Sequence, residues 1–171
     1  TSSDPRANDR FGSSVSISGD TAVVGVPLDD DAGLQSGSAY VFVRNGTSWN
    51  EETKLTASDG ATWDFFGGSV SISGDYAIVG AYGDDDGGSN SGSAYIFKRD
   101  ASIWTQQAKL IAYDAATYDS FGRSVSISGD YAIVGAYGED DSGSNSGAAY
   151  IFKRDASTWT QQAKLIANDA R

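Results

Sequence analysis

The string FGSSVSISGD at 11–20 returns as FGGSVSISGD at 66–75 and as FGRSVSISGD at 121–130, a spacing of 55 residues both times. A fixed period of this order marks a repeat architecture, in which one supersecondary unit buries its faces only against copies of itself. Units two and three, starting at Thr56 and Ile111, agree at 45 of 55 positions. Unit one is more diverged, with Pro27, Leu28, Leu34 and Gln35 lacking counterparts. The register reaches both ends: 1–12 aligns on 56–67 without a gap, and 166–171 starts what would be a fourth copy. The chain therefore reads as three units cut from a larger ring, or sufficient to make one.

Within a unit, SVSIS at 69–73 alternates with period two, setting Val70 and Ile72 on one face and serines on the other, as a strand does. Gly74-Asp75 makes a two-residue hairpin turn, and YAIVGA at 76–81 is a second strand. An acidic loop follows at 83–91, then a third strand at 92–98, a tight turn at 99–102 and a fourth strand at 104–110. The polar residues of the fourth strand suit an outer edge. Four antiparallel strands repeated without a helix fit a β-propeller blade, and 21 glycines against two prolines agree with many short strands and tight turns. The expected fold is all-β, a single repeat domain of three blades at about 11–57, 66–112 and 121–168.

Phe-Gly at the first strand, combined with Gly25-Val26-Pro27, Gly80-Ala81-Tyr82 and Gly135-Ala136-Tyr137 after the second, resembles the FG-GAP repeat. That repeat builds the β-propeller of integrin α-subunits and of many bacterial surface proteins. The resemblance covers essentially the whole chain and implies an extracellular or cell-surface module. One feature departs from it. The family's DxDxDG calcium loop, between first and second strands, is replaced here by the short turns Gly19-Asp20, Gly74-Asp75 and Gly129-Asp130. These are too short to wrap an ion that wants six to eight oxygens.

Blade topology sorts the charges. The loop between second and third strands and the link to the next blade share one face of the ring. On it fall Asp4, Asp9, Asp29, Asp30, Asp31, Asp59, Asp64, Asp84, Asp85, Asp86, Asp114, Asp119, Glu139, Asp140, Asp141 and Asp169, sixteen of 23 acidic residues. Arg44, Lys98-Arg99 and Lys153-Arg154 fall on the opposite face. The acidic face also carries Trp63, Phe65, Tyr82, Tyr118 and Tyr137, a surface that would attract cations or a basic partner and could stack a sugar ring. The triplets Asp29-Asp30-Asp31, Asp84-Asp85-Asp86 and Glu139-Asp140-Asp141 read first as solvated turns. They are also the candidate calcium ligands, helped by Asp59 or Asp114, although alternating ligand spacing is missing. The Phe-Gly pairs and the recurring Trp49, Trp104 and Trp159 read as packing between blades.

Several function classes fall away. The chain has no histidine and no cysteine, which excludes Ser-His-Asp and Cys-His catalysis and ordinary zinc sites. A carboxylate pair of glycosidase type has the residues it needs, yet every candidate is triplicated, and such a pair needs one asymmetric environment. A net charge of −11 argues against nucleic acid. No apolar run approaches the roughly 20 residues of a membrane-spanning helix, so no membrane insertion is expected. The absence of methionine makes the sequence an expected processed product or excerpt. The expected function is non-enzymatic, requiring no cofactor: protein or glycan binding and adhesion on the acidic face. The alternatives are an architectural unit of a surface assembly and, less favoured, a lectin-like or glycosidase-like propeller.

Three blades make an open arc, whereas rings of this kind have about four to eight. Each end would present a blade face meant to be buried, at a cost comparable to the roughly 5–15 kcal/mol that a domain has in all. The expected partners are therefore a second copy closing a six-bladed homodimer, or the remaining blades of a longer chain.

Overall fold

The computed structural model describes residue 4 and residues 7–167. The described residues form twelve strands in three antiparallel four-stranded sheets. Blade one holds β1 (Ser14–Ser18), β2 (Thr21–Val26), β3 (Ser38–Asn45) and β4 (Ser48–Leu55). Blade two holds β5 (Ser69–Ser73), β6 (Tyr76–Ala81), β7 (Ser93–Asp100) and β8 (Ile103–Leu110). Blade three holds β9 (Ser124–Ser128), β10 (Tyr131–Ala136), β11 (Ala148–Asp155) and β12 (Thr158–Leu165). Strands pair in chain order within each sheet, none of the sheets is closed, and the described residues contain no helix. Two sequence assignments, Asp169 on the acidic face and the end of blade three at residue 168, lie outside the described residues.

The third strand of each blade runs further than its sequence pattern indicates. In blade two it continues through Arg99 to Asp100, so the turn shrinks to Ala101 and Ser102. The Arg99 amide donates to Asp75 O at 2.8 Å, which ties the two hairpin turns together, and Ala101 supplies the left-handed conformation (φ 55°) that a two-residue turn requires.

The third and fourth strands carry a β-bulge in every blade. Opposite Ile96 and Phe97 the fourth strand has one residue too many, Gln107, and the same irregularity singles out Glu52 and Gln162. A bulge re-aims a side chain, and here it points across the seam between blades. Trp104 Nε1 donates to Glu52 Oε2 at 2.9 Å, and Trp159 Nε1 to Gln107 Oε1 at 3.1 Å.

The core lies in these seams. Val23, Val41 and Leu55 of blade one pack with Phe66, Val70, Ile72 and Phe97 of blade two. Ile78, Ile96 and Leu110 of blade two repeat the arrangement with Phe121, Ile127, Val134 and Phe152 of blade three. Serines of the innermost strands accept hydrogen bonds from the next blade, Ser16 Oγ from Ile72 N at 3.2 Å and Ser71 Oγ from Ile127 N at 3.1 Å. The Phe-Gly and Gly-Ala elements meet in the same place. A Cβ on Gly80 would stand 1.9 Å from Gly122 O, so only hydrogen on both Cα atoms lets the backbones approach.

Candidate binding face

The β2–β3 loop of each blade is laced to the link that enters the next. Trp63 N donates to Leu34 O at 2.8 Å, Phe65 N to Gln35 O at 3.1 Å and Phe66 N to Ser36 O at 3.0 Å. Tyr118, Ser120 and Phe121 repeat the ladder on Ser89, Asn90 and Ser91. These bonds hold Trp63, Phe65, Tyr118 and Ser120 at φ between 54° and 72°, a region that bulky side chains rarely occupy. The acidic loops and the links therefore form one continuous rim.

The three acidic triplets separate by position. Their middle members cap their own loops: Asp30 Oδ1 accepts from Gln35 N and Asp85 Oδ1 from Asn90 N, both at 2.7 Å, and Asp140 Oδ1 from Asn145 N at 2.5 Å. The outer members converge with an aspartate of the preceding link, giving Asp4, Asp29 and Asp31; Asp59, Asp84 and Asp86; and Asp114, Glu139 and Asp141. In each set one oxygen per residue lies within 4.8 Å of the others. A lysine from the fourth strand enters every cluster. Lys54 Nζ is 2.7, 2.7 and 2.5 Å from Asp4, Asp29 and Asp31. Lys109 is 2.8, 2.8 and 2.6 Å from Asp59, Asp84 and Asp86, and Lys164 is 2.7, 2.7 and 2.6 Å from Asp114, Glu139 and Asp141.

Burial works against the charge of Lys54, Lys109 and Lys164, yet hydrogen bonds to the carboxylates outweigh it and hold all three well above the ordinary lysine range. The Lys54 hydrogen bond pulls Asp4 down. For Asp59 and Asp114, burial pushes up and the lysine bond more than reverses it. Asp64 and Asp119 sit behind the clusters, nearly buried, capping Ala61 N and Ala116 N at 2.7 and 2.8 Å. Burial, reinforced by the Asp84 charge, raises Asp64 to about 6, and burial likewise raises Asp119.

The four aromatic candidates all lie on this rim. Trp63, Tyr118 and Tyr137 are more than half exposed. Tyr82 is half-buried in a layered stack: Phe65 lies parallel to it at 4.9 Å and 4°, and the Arg123 guanidinium lies 4.5 Å from its ring centre. The positions equivalent to Phe65, Tyr82 and Arg123 hold Arg10, Pro27 and Gly68 one blade earlier, and the first two hold Ser120 and Tyr137 one blade later. Among the described residues the stack exists once, between blades two and three.

The FG-GAP repeat family matches 1–42, 49–97 and 104–152, most of the chain. The chain belongs to the FG-GAP repeat family. No curated protein matches it. The second and third FG-GAP matches begin on β4 and β8 and end in the third strand of the following blade. Each of these units therefore contains a seam, and its first strand carries the bulge residue that the next blade's tryptophan engages.

The FG-GAP pattern draws attention to glycines and aromatics and away from Lys54, Lys109 and Lys164, which sequence reasoning missed. The available signal was their recurrence every 55 residues at the same place in strand four. Arg123 was missed as well, because it stands in one unit only.

Proposed function

We propose that this FG-GAP chain is a non-enzymatic, extracellular propeller module that binds a protein or glycan partner on its acidic rim, and that it works within a closed ring. The observation that carries the reading is the Phe65–Tyr82–Arg123 stack. Structural side chains in this chain recur in register, whereas a recognition site has to break symmetry, and this stack breaks it on a face that also exposes Trp63 and Tyr118. Flat aromatic rings beside a guanidinium suit sugar rings and protein side chains alike. FG-GAP repeats are typical of extracellular proteins, which supports the location. The acidic surface disfavours nucleic acid.

No cofactor is needed in this reading. Each acidic cluster already surrounds an ammonium group, so the carboxylates serve as an ionic knot joining link, loop and fourth strand. The same pairing argues against a glycosidase-type carboxylate pair, since none of the clustered acids is set apart as a lone proton donor. The large apolar side chains exposed at the two ends of the arc support self-association.

The architectural alternative draws on the near identity of the clusters in blades two and three. The two readings part on a binding screen. A glycan array and a panel of extracellular-matrix proteins are probed with the parent chain, Tyr82→Ala and, as a control on the opposite face, Lys98→Ala. Binding lost in the first variant and kept in the second is expected; no binder, or one indifferent to Tyr82, sinks the recognition reading.

A further inference from the structure

The two ends of the arc are unlike and complementary. On the outer face of blade one, Phe11, Val15 and Ile17 are 49, 69 and 63% exposed, whereas their equivalents Phe66, Val70 and Ile72 are 0, 8 and 6% exposed. On the outer face of blade three, Ile133 and Leu165 are 37 and 48% exposed, against 0 and 3% for Ile78 and Leu110. Each end thus exposes one half of a seam that is closed elsewhere in the molecule.

The polar groups match as well. In the seam between blades two and three, Arg154 donates to Tyr76 Oη at 2.8 Å and Trp159 to Gln107 Oε1 at 3.1 Å. Blade one presents the donors of this set, Arg44 and Trp49, and blade three presents the acceptors, Tyr131 and Gln162, with both sets exposed. Arg44 is also bonded to Asp20 at 2.7 Å, but Arg154 keeps the equivalent bond to Asp130 while reaching Tyr76. Ser126 and Ser128 are exposed where Ser71 and Ser73 receive Ile127 N and Gly129 N. The missing seam would therefore copy the chemistry of an existing one.

We propose that blade three of one copy receives blade one of a second copy, head to tail, and that the reciprocal contact closes a six-bladed ring of two chains. The pairing is heterologous at each seam, and a two-fold axis relates the two seams. The proposal rests on the self-association put forward above and specifies which residues achieve it: Arg44 and Trp49 of one copy against Tyr131 and Gln162 of the other.

The test is solution mass by light scattering over a concentration series, for the parent chain, Gln162→Lys and Gln162→Glu. All substitutions lie on the surface of the single chain, so folding is not at stake. The parent should have twice the chain mass of 17.8 kDa. Gln162→Lys, which sets a second cation against Arg44 in both seams, should weaken the dimer about a hundredfold. Gln162→Glu, which recreates the Glu52 acceptor of the first seam, should keep it. A dimer indifferent to Gln162→Lys overturns this pairing while leaving self-association standing. A mass that grows without limit overturns closure, and a compact monomer at all concentrations overturns both the pairing and the self-association.

Discussion

Tyr95 Oη donates to Asp84 Oδ2 at 2.8 Å, and the same two positions in blade three, Tyr150 and Glu139, make no such bond. Tyr150 Oη and Glu139 Oε2 are both buried without a partner; the hydroxyl lies near Asp114 but outside hydrogen-bond geometry. Ser93, which donates to Asp84 at 3.0 Å, is replaced by Ala148. The third cluster thus differs from the second at two positions, Glu139 for Asp84 and Ala148 for Ser93.

Restoring that pattern should stabilise the chain. Each buried polar atom left unpaired costs about 1–3 kcal/mol. Glu139→Asp combined with Ala148→Ser is expected to raise the unfolding free energy by about 1–2 kcal/mol, read from urea denaturation. No gain would mean that the unpaired atoms are satisfied in solution by water.

Lys109 should be worth more than any other single side chain of its cluster. Its side chain is 18% exposed, and removing the charge leaves Asp59, Asp84 and Asp86 without a counterion. Lys109→Met is expected to cost about 3–5 kcal/mol. Millimolar calcium should recover part of that loss in the variant and leave the melting temperature of the parent unchanged. A parent chain that melts several degrees higher in calcium than in chelator would show that the ion displaces the lysine, and the ionic-knot reading would fail.

Asp64 gives a pH dependence of definite sign. A carboxyl whose folded pKa, about 6, lies above its unfolded value stabilises the fold fully below that unfolded value and loses the contribution as pH rises through 6. Asp64→Asn, which retains an acceptor for Ala61 N, should therefore exceed the parent at pH 8 by on the order of 2 kcal/mol. The advantage should vanish toward pH 4. Asp59 and Asp114 are shifted the other way, so the difference between variant and parent is the informative quantity. Equal stabilities at pH 8 would place Asp64 in solvent.

Much of the fold was legible because period and alternation are local properties. Val70 and Ile72 fall on one side of β5 whatever surrounds it, and Gly74 fixes the turn at the place where two strands must reverse. The identity of the buried faces followed too, since Phe66 and Phe121 recur in register and are both fully buried. The site was less legible. Asp84, Asp85 and Asp86 are adjacent in sequence and equal in charge, yet one is buried on a tyrosine, one caps its loop and one meets a lysine from another strand.

The sequence by itself determined three blades, their strand order and an acidic rim, because a 55-residue period and two-residue alternation leave little freedom in how backbone hydrogen bonds are satisfied. Only the tertiary structure decided what the acids do and where the seams bond. Lys109 reaches Asp59 across 50 positions of sequence, and Gln107 meets Trp159 because a bulge turns one side chain out of register. Neither relationship is periodic within a strand. Both depend on elements far apart in sequence being packed side by side, which no local pattern of residues specifies.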